Sequence, residues 1–138
     1  MFKRSQYVTI ETIEPIGLGL FTNTILHCNE VVAVFYGQLV TEETYSLRCD
    51  DGRGGYGIKV RAGIVLDCYE HAKAFKCLAS YANCPRNVFR LNSVSKPRAN
   101  CEIRLHPKII DRVTLRVKDK IIEKGSELLW NYGSSFRF

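Results

Sequence analysis

A mainly β domain of many short strands, with one or two short helices, is the fold class this sequence predicts. Three observations carry that reading. Runs of four to six residues rich in β-branched and aromatic side chains recur along the whole chain. Glycine- and aspartate-rich punctuation separates them, most densely at Asp50-Asp51-Gly52-Arg53-Gly54-Gly55-Tyr56-Gly57. One stretch alone, Tyr69 to Ser80, has the Ala, Leu, Lys and Glu content of a helix. The 138 residues are one domain's worth of chain, and 46% apolar content is enough to bury a core.

The elements follow in order. Tyr7-Val8-Thr9-Ile10 predicts a strand, and Gly17-Leu18-Gly19 a tight turn. Val31 to Tyr36 is β-branched and aromatic, hence a buried strand that Gly37 interrupts and Leu39-Val40 resumes. Ile58-Lys59-Val60 and Ile64-Val65-Leu66 form a pair. Asp67 is the expected N-cap of the helix over 69–80. Asn83 to Asn100, with two prolines and several basic residues, predicts a long irregular loop, which in a small domain is often functional. Strands are expected at Cys101 to Leu105, Val113 to Val117 and Leu128 to Tyr132, with Lys124-Gly125 turning into the last.

Composition narrows the function classes. No run approaches the roughly 20 apolar residues of a membrane span. The first residues, Met1 to Gln6, lack the apolar core of a signal peptide. A soluble, unsecreted protein with no membrane partner is therefore expected. Six cysteines, at 28, 49, 68, 77, 84 and 101, form no C-x-x-C pair, so reduced thiols are expected rather than a disulfide framework. Cys68, His71, Cys77 and Cys84 lie close in sequence, but their spacing matches no common zinc pattern, and no metal is expected. A thiol enzyme pairing one of these cysteines with His71 has only proximity in its favour. The formal charge of +6 is uneven. Residues 1–70 hold 6 Lys+Arg against 9 Asp+Glu, and residues 71–138 hold 14 against 5. The acidic part, with Glu42, Glu43, Asp50, Asp51 and Asp67, suits a basic peptide. The basic part, with Arg86, Arg90, Lys96 and Arg98 in the long loop, suits nucleic acid.

Singly, the short motifs are weak. Gly17-Leu18-Gly19 is not a dinucleotide fingerprint, because position 22 is Thr and no helix pattern follows. Their order carries more. Gly17-Leu18-Gly19-Leu20-Phe21 is followed by Phe35-Tyr36-Gly37-Gln38-Leu39-Val40, then Leu66-Asp67-Cys68, Ser80-Tyr81-Ala82-Asn83 and Ala99-Asn100-Cys101. The series closes on Gly125-Ser126-Glu127-Leu128-Leu129-Trp130-Asn131-Tyr132-Gly133. This ordered set resembles the SET domain of protein lysine methyltransferases, over essentially all of residues 1–138. The last block resembles that family's G-x-E-L-x-x-x-Y-G signature, and the Tyr81-Ala82-Asn83 block resembles its R-F-I-N-H-S-C-x-P-N signature, split by an insertion.

The resemblance implies a SET fold whose C-terminal segment threads under a loop, pseudoknot-like. It implies S-adenosyl-L-methionine as cofactor and a protein lysine, by default on a histone H3 or H4 tail, as methyl acceptor. By the same resemblance Gly17, Leu18, Gly19, Tyr81, Asn83 and Cys84 bind cofactor; Tyr36, Trp130 and Tyr132 line the substrate channel; and Tyr132 is catalytic. The chemistry is compatible: two glycines let backbone approach a ligand closely, Asn83 offers donors and an acceptor, and a dry aromatic channel disfavours the charged amine. Trp130 stands where the family usually has Phe or Tyr, a position that bears on how many methyls are added; its bulk and missing hydroxyl argue in opposite directions. Cys84 stands where the family has histidine, Ser80 and Tyr81 replace its Arg and Phe, and a zinc-binding cysteine cluster after the domain is absent. Phe136 or Phe138 is expected to cover the cofactor or channel in its place. A histone-directed enzyme implies the nucleus, of the cell or of a virus's host, with nucleosomal DNA as a further partner through the basic C-terminal half; another substrate implies the cytoplasm. The alternative is a catalytically silent SET-fold module binding peptide or nucleic acid, which the missing histidine and the basic charge favour. An exposed edge strand leaves a homodimer open.

Overall fold

The computed structural model describes residues 8–13, 17–85, 98–132 and 136–137. The protein is mainly β, with eleven strands named among these residues, arranged in small antiparallel sheets. β1 (Val8–Ile13) and β2 (Gly17–Thr22) pair along their full length, Val8 opposite Thr22 and Ile13 opposite Gly17. Gly17-Leu18-Gly19 is thus not a turn but the start of a strand. Gly17 opens it at φ +114, a conformation that an L side chain rarely adopts. β3 (Leu26–His27) pairs with β10 (Ile121–Ile122).

The three-stranded sheet has the order β4-β9-β8, from β4 (Val31–Phe35), β9 (Val113–Val117) and β8 (Cys101–Leu105). Along β9 the residues alternate buried and half-buried, Val113, Leu115 and Val117 being inside. That period of two sets the core face. The four-stranded sheet has the order β11-β6-β7-β5, from β11 (Phe136–Arg137), β6 (Gly57–Arg61), β7 (Ile64–Asp67) and β5 (Gln38–Thr41). One core joins the sheets through Leu20, Leu26, Phe35, Ile58, Leu66, Leu115, Leu128 and Trp130.

Gly37, between β4 and β5, is where the chain crosses the Asp67–Cys68 peptide. A Cβ there would lie 2.5 Å from the Asp67 carbonyl oxygen, so no other residue fits without backbone movement.

The helices differ from expectation. α1 (Glu42–Asp50) lies in a stretch that carries no apolar stripe; Tyr45 is its buried residue. Its signal is the cap: the Thr41 hydroxyl accepts from the Thr44 N–H, and Glu42 and Glu43 occupy the first turn, where carboxylates suit the helix dipole. The helix expected over 69–80 divides instead into α2 (Tyr69–Lys73) and a 3₁₀ turn, Leu78–Tyr81. Phe75, at φ +57, ends α2, and the Lys76 and Cys77 N–H groups both donate to the His71 carbonyl. The break lets Cys77 enter the core, where its sulfur accepts from the Tyr36 N–H at 3.3 Å. Asp67 lies one residue before the N-cap, Cys68; its Oδ1 accepts from the Tyr69 N–H at 3.1 Å.

Leu128 to Tyr132 forms no ladder strand. It makes single bridges, Phe21 with Glu127 and Asn83 with Leu129, because its backbone partners come from separate stretches of chain. Gly125 turns the chain into it at φ +89. Of the expected loop from Asn83 to Asn100, residues 86–97 lie outside the described residues, as do Tyr7, Gly133 and Phe138, and so does the side chain of Phe136.

Candidate functional site

The segment Ser126 to Tyr132 is the spine of the site. The Leu128 N–H donates to the Leu20 carbonyl at 2.8 Å and the Thr22 N–H to the Ser126 carbonyl at 3.1 Å, laying the segment along β2. The Trp130 N–H donates to the Asn83 carbonyl at 3.1 Å. The Asn100 and Cys101 N–H groups both donate to the Leu129 carbonyl, at 3.1 and 2.9 Å. Asn100 adds its side chain: Nδ2 donates to the Glu127 carbonyl and Oδ1 accepts from the Leu129 N–H, both at 2.9 Å. Both ends of the stretch 83–100 thus grip the run Glu127 to Trp130.

The Asn83 side chain joins this spine to β2. Its Nδ2 donates to the Leu18 carbonyl at 3.1 Å and to Glu127 Oε2 at 3.0 Å. Both partners are acceptors, which fixes the amide's orientation and uses both of its hydrogens. Toward any other group Asn83 offers Oδ1, an acceptor. Glu127 is half-buried; desolvation pushes its carboxyl above the ordinary carboxylate value, and the Asn83 hydrogen bond offsets part of that. Gly17, Leu18, Gly19 and Asn83 are therefore neighbours, and Glu127 is a member of the same cluster that sequence reasoning missed. It stood within the quoted Gly125-to-Gly133 run but was not assigned a role.

A second cluster is aromatic. The Tyr132 hydroxyl donates to the Ala82 carbonyl at 2.8 Å, and its oxygen accepts from the Cys84 backbone N–H. Burial pushes the phenol up, so it is protonated, and a donor, near neutral pH. Its ring lies 4.8 Å from that of Trp130, which meets Phe35 edge-on at 6.1 Å. A narrow cleft with about 10 Å³ of free volume lies beside Trp130, lined by Phe35, Tyr56, Ile58, Ser80, Ala82 and Trp130. Tyr36, next along from Phe35, is half-buried, and desolvation raises its phenol too. Tyr56 is the other residue that sequence reasoning missed. It meets Tyr69 and Tyr81 edge-on, and the Lys73 ammonium lies 5.2 Å from its ring centre. Its only sequence signal was an aromatic inside a glycine run.

The remaining candidate residues have structural partners. The Tyr81 hydroxyl donates to the Ala72 carbonyl at 2.6 Å while its ring stacks on Phe75 at 5.6 Å. Cys84 is buried, its backbone at Tyr132. Hydrogen bonds from Cys68, Ser80 and the Tyr36 N–H hold the Cys77 thiol below the usual range, and sharing that hydrogen bond pushes Cys68 up. His71 is exposed, and no three potential metal ligands gather among the described residues.

The acidic segment is largely engaged. Asp67 is buried and ion-paired with Arg48 at 2.9 Å, Glu42 Oε2 accepts from the Gly63 N–H, and Asp51 pairs with Arg53. Glu43 and Asp50 are exposed and carry no ion pair among the described residues. No protein-family model matches this chain, and no curated protein matches it.

Proposed function

We propose that this chain is a protein-lysine N-methyltransferase that uses S-adenosyl-L-methionine, with a histone tail as its default substrate. The observation that carries the reading is Tyr132: a protonated, fully oriented hydroxyl whose ring packs on Trp130, a wall of the aromatic cleft, on the same segment as the Asn83–Glu127 cluster.

The cofactor fits the residues present. Its amino-acid end carries an ammonium, and Asn83 Oδ1 and the Glu127 carboxylate are acceptors suited to it. Around the Cβ position of Gly17 no atom of the described residues beyond its chain neighbours lies within 4 Å, which leaves room there for a ligand. When bound, S-adenosylmethionine supplies a methyl group on a sulfonium. The protein's own residues do the rest. Phe35, Tyr56 and Trp130 supply the apolar wall that strips water from an entering lysine and favours its neutral amine, with Tyr36 adjoining Phe35. Tyr132 orients that amine from a position locked by Ala82, Cys84 and Trp130. Methyl transfer is an in-line displacement, so such positioning accounts for most of the rate.

The test is calorimetric titration of S-adenosylmethionine, followed by mass spectrometry of core histones incubated with enzyme and cofactor. Binding and a mass gain of whole methyl groups are expected. Tyr132→Phe should cut turnover by about 10²-fold, as loss of one oriented donor does, while cofactor affinity stays within about threefold. An absent binding isotherm sinks the reading and favours the silent module.

A further inference from the structure

A second surface lies on the opposite side of β9 from the core. Because β8 and β9 are antiparallel with Cys101 opposite Val117 and Leu105 opposite Val113, cross-strand neighbours share a face. Val113, Leu115, Val117 and Cys101 face inward. The outward face therefore pairs Glu102 with Arg116 and Arg104 with Thr114, and beyond the ladder the His106 N–H donates to the Arg112 carbonyl at 3.0 Å. An open cleft of about 220 Å³ lies on this face, lined by Arg104, Leu105, His106, Pro107, Arg112, Thr114 and Arg116, none of them acidic.

The charges are available. Arg104 meets Glu102 at 3.0 Å, but both are exposed, so that pair is weak. Among the described residues neither Arg112 nor Arg116 has an ion pair; the Arg116 Nε–H donates to Thr114 Oγ1 at 3.3 Å. His106 Nδ1 accepts from the Lys108 and Ile109 N–H groups at 3.0 and 2.9 Å, which leaves the ring's proton on Nε2 as a further donor.

We propose that this face binds the phosphodiester backbone of nucleic acid. Alternate residues on a strand are about 6.8 Å apart, so the backbone positions of Arg112 and Arg116 are about 14 Å apart. Successive phosphates of one strand fit a row of cations of that length. Guanidinium forks suit phosphate oxygens, and the cleft is lined by arginines with no Phe, Tyr or Trp ring, which favours recognition of backbone over sequence. The surface is argued from the hairpin alone: Arg98 is ion-paired with Asp119 at 3.0 Å, and Arg86, Arg90 and Lys96 lie outside the described residues. The inference rests on the hairpin's charge and not on methyl transfer.

Fluorescence anisotropy of a labelled DNA duplex, repeated at rising potassium chloride, tests it. The double variant Arg112→Gln/Arg116→Gln should bind at least tenfold more weakly. Its plot of log K against log salt should be shallower by about two, one for each lost contact. Arg98→Gln should bind as the parent does. If the double variant melts early, Arg104→Gln alone should reduce the slope by about one. Unchanged affinity and slope overturn the proposal. So does polyglutamate binding as tightly with the same arginine dependence, which would indicate an acidic protein, or full competition by inorganic phosphate at equal charge, which would indicate a single-anion site. Duplex binding by a protein that takes up no S-adenosylmethionine would leave this surface standing and remove the enzyme reading alone.

Discussion

Asn83 Nδ2 and Glu127 Oε2 lie 3.0 Å apart, 44 residues from each other in sequence. That hydrogen bond, with its companion to the Leu18 carbonyl, pins the C-terminal spine to β2 at the point where a ligand's ammonium would be held.

Glu127 should make stability fall with rising pH. Its folded carboxyl titrates above the unfolded value because burial disfavours the charge. The native state therefore holds the proton more tightly than the unfolded chain does, and this contribution is fully present below the ordinary carboxylate value. It declines as pH rises through the folded value. Glu127→Gln keeps an acceptor for Asn83 and removes the charge, so it should flatten that part of the curve, as read by urea midpoints across pH. If the ammonium is held here, the same variant should weaken S-adenosylmethionine binding about tenfold or more.

Arg48 of α1 and Asp67 of β7 form a partly buried ion pair, with side chains 22% and 3% exposed. Arg48 also reaches Gln38 Oε1 at 3.0 Å. Arg48→Met should destabilise by about 3 kcal/mol, since it leaves a buried carboxylate uncompensated. Adding Asp67→Asn should restore most of the loss. A double variant no more stable than Arg48→Met would contradict a charge-based penalty.

Gly37→Ala should cost about 1–3 kcal/mol, because the new Cβ meets backbone that cannot rotate away. The strain falls beside Tyr36, so under the proposed methyltransferase function the peptide KM should rise more than kcat falls. Denaturant midpoints and steady-state kinetics read the two effects separately.

Trp130 is 2% exposed and touches both Phe35 and Tyr132. Trp130→Ala should destabilise by about 3–5 kcal/mol through the cavity it leaves. Trp130→Phe should keep the fold and widen the cleft. A shift in the distribution of mono-, di- and trimethylated product, read by mass spectrometry, would assign Trp130 to control of the methyl number.

Strand pairs with strong β-branched alternation were legible from residues alone: β4, β6, β7, β8 and β9 fall where Val, Ile and Phe runs predict them, because local side-chain shape and a period of two suffice. The mainly β class followed from them. α1 was not legible by periodicity, since its identity rests on the Thr41 cap and a single buried tyrosine. The 69–80 stretch has helical composition, yet Phe75 turns the chain so that Cys77 can reach Tyr36, a demand set by residues 41 positions away. Leu128 to Tyr132 looks like a strand in isolation and is denied a ladder because β2, Asn83 and Asn100 divide its hydrogen bonds among them. The candidate site follows the same division. Gly17, Asn83, Trp130 and Tyr132 were visible as residue types in order along the chain. That Asn83 spends its amide on Glu127, that Tyr56 joins the aromatic cleft and that Tyr81 is occupied by Ala72 were decided by packing alone, because each partner is brought there by a different element of the fold.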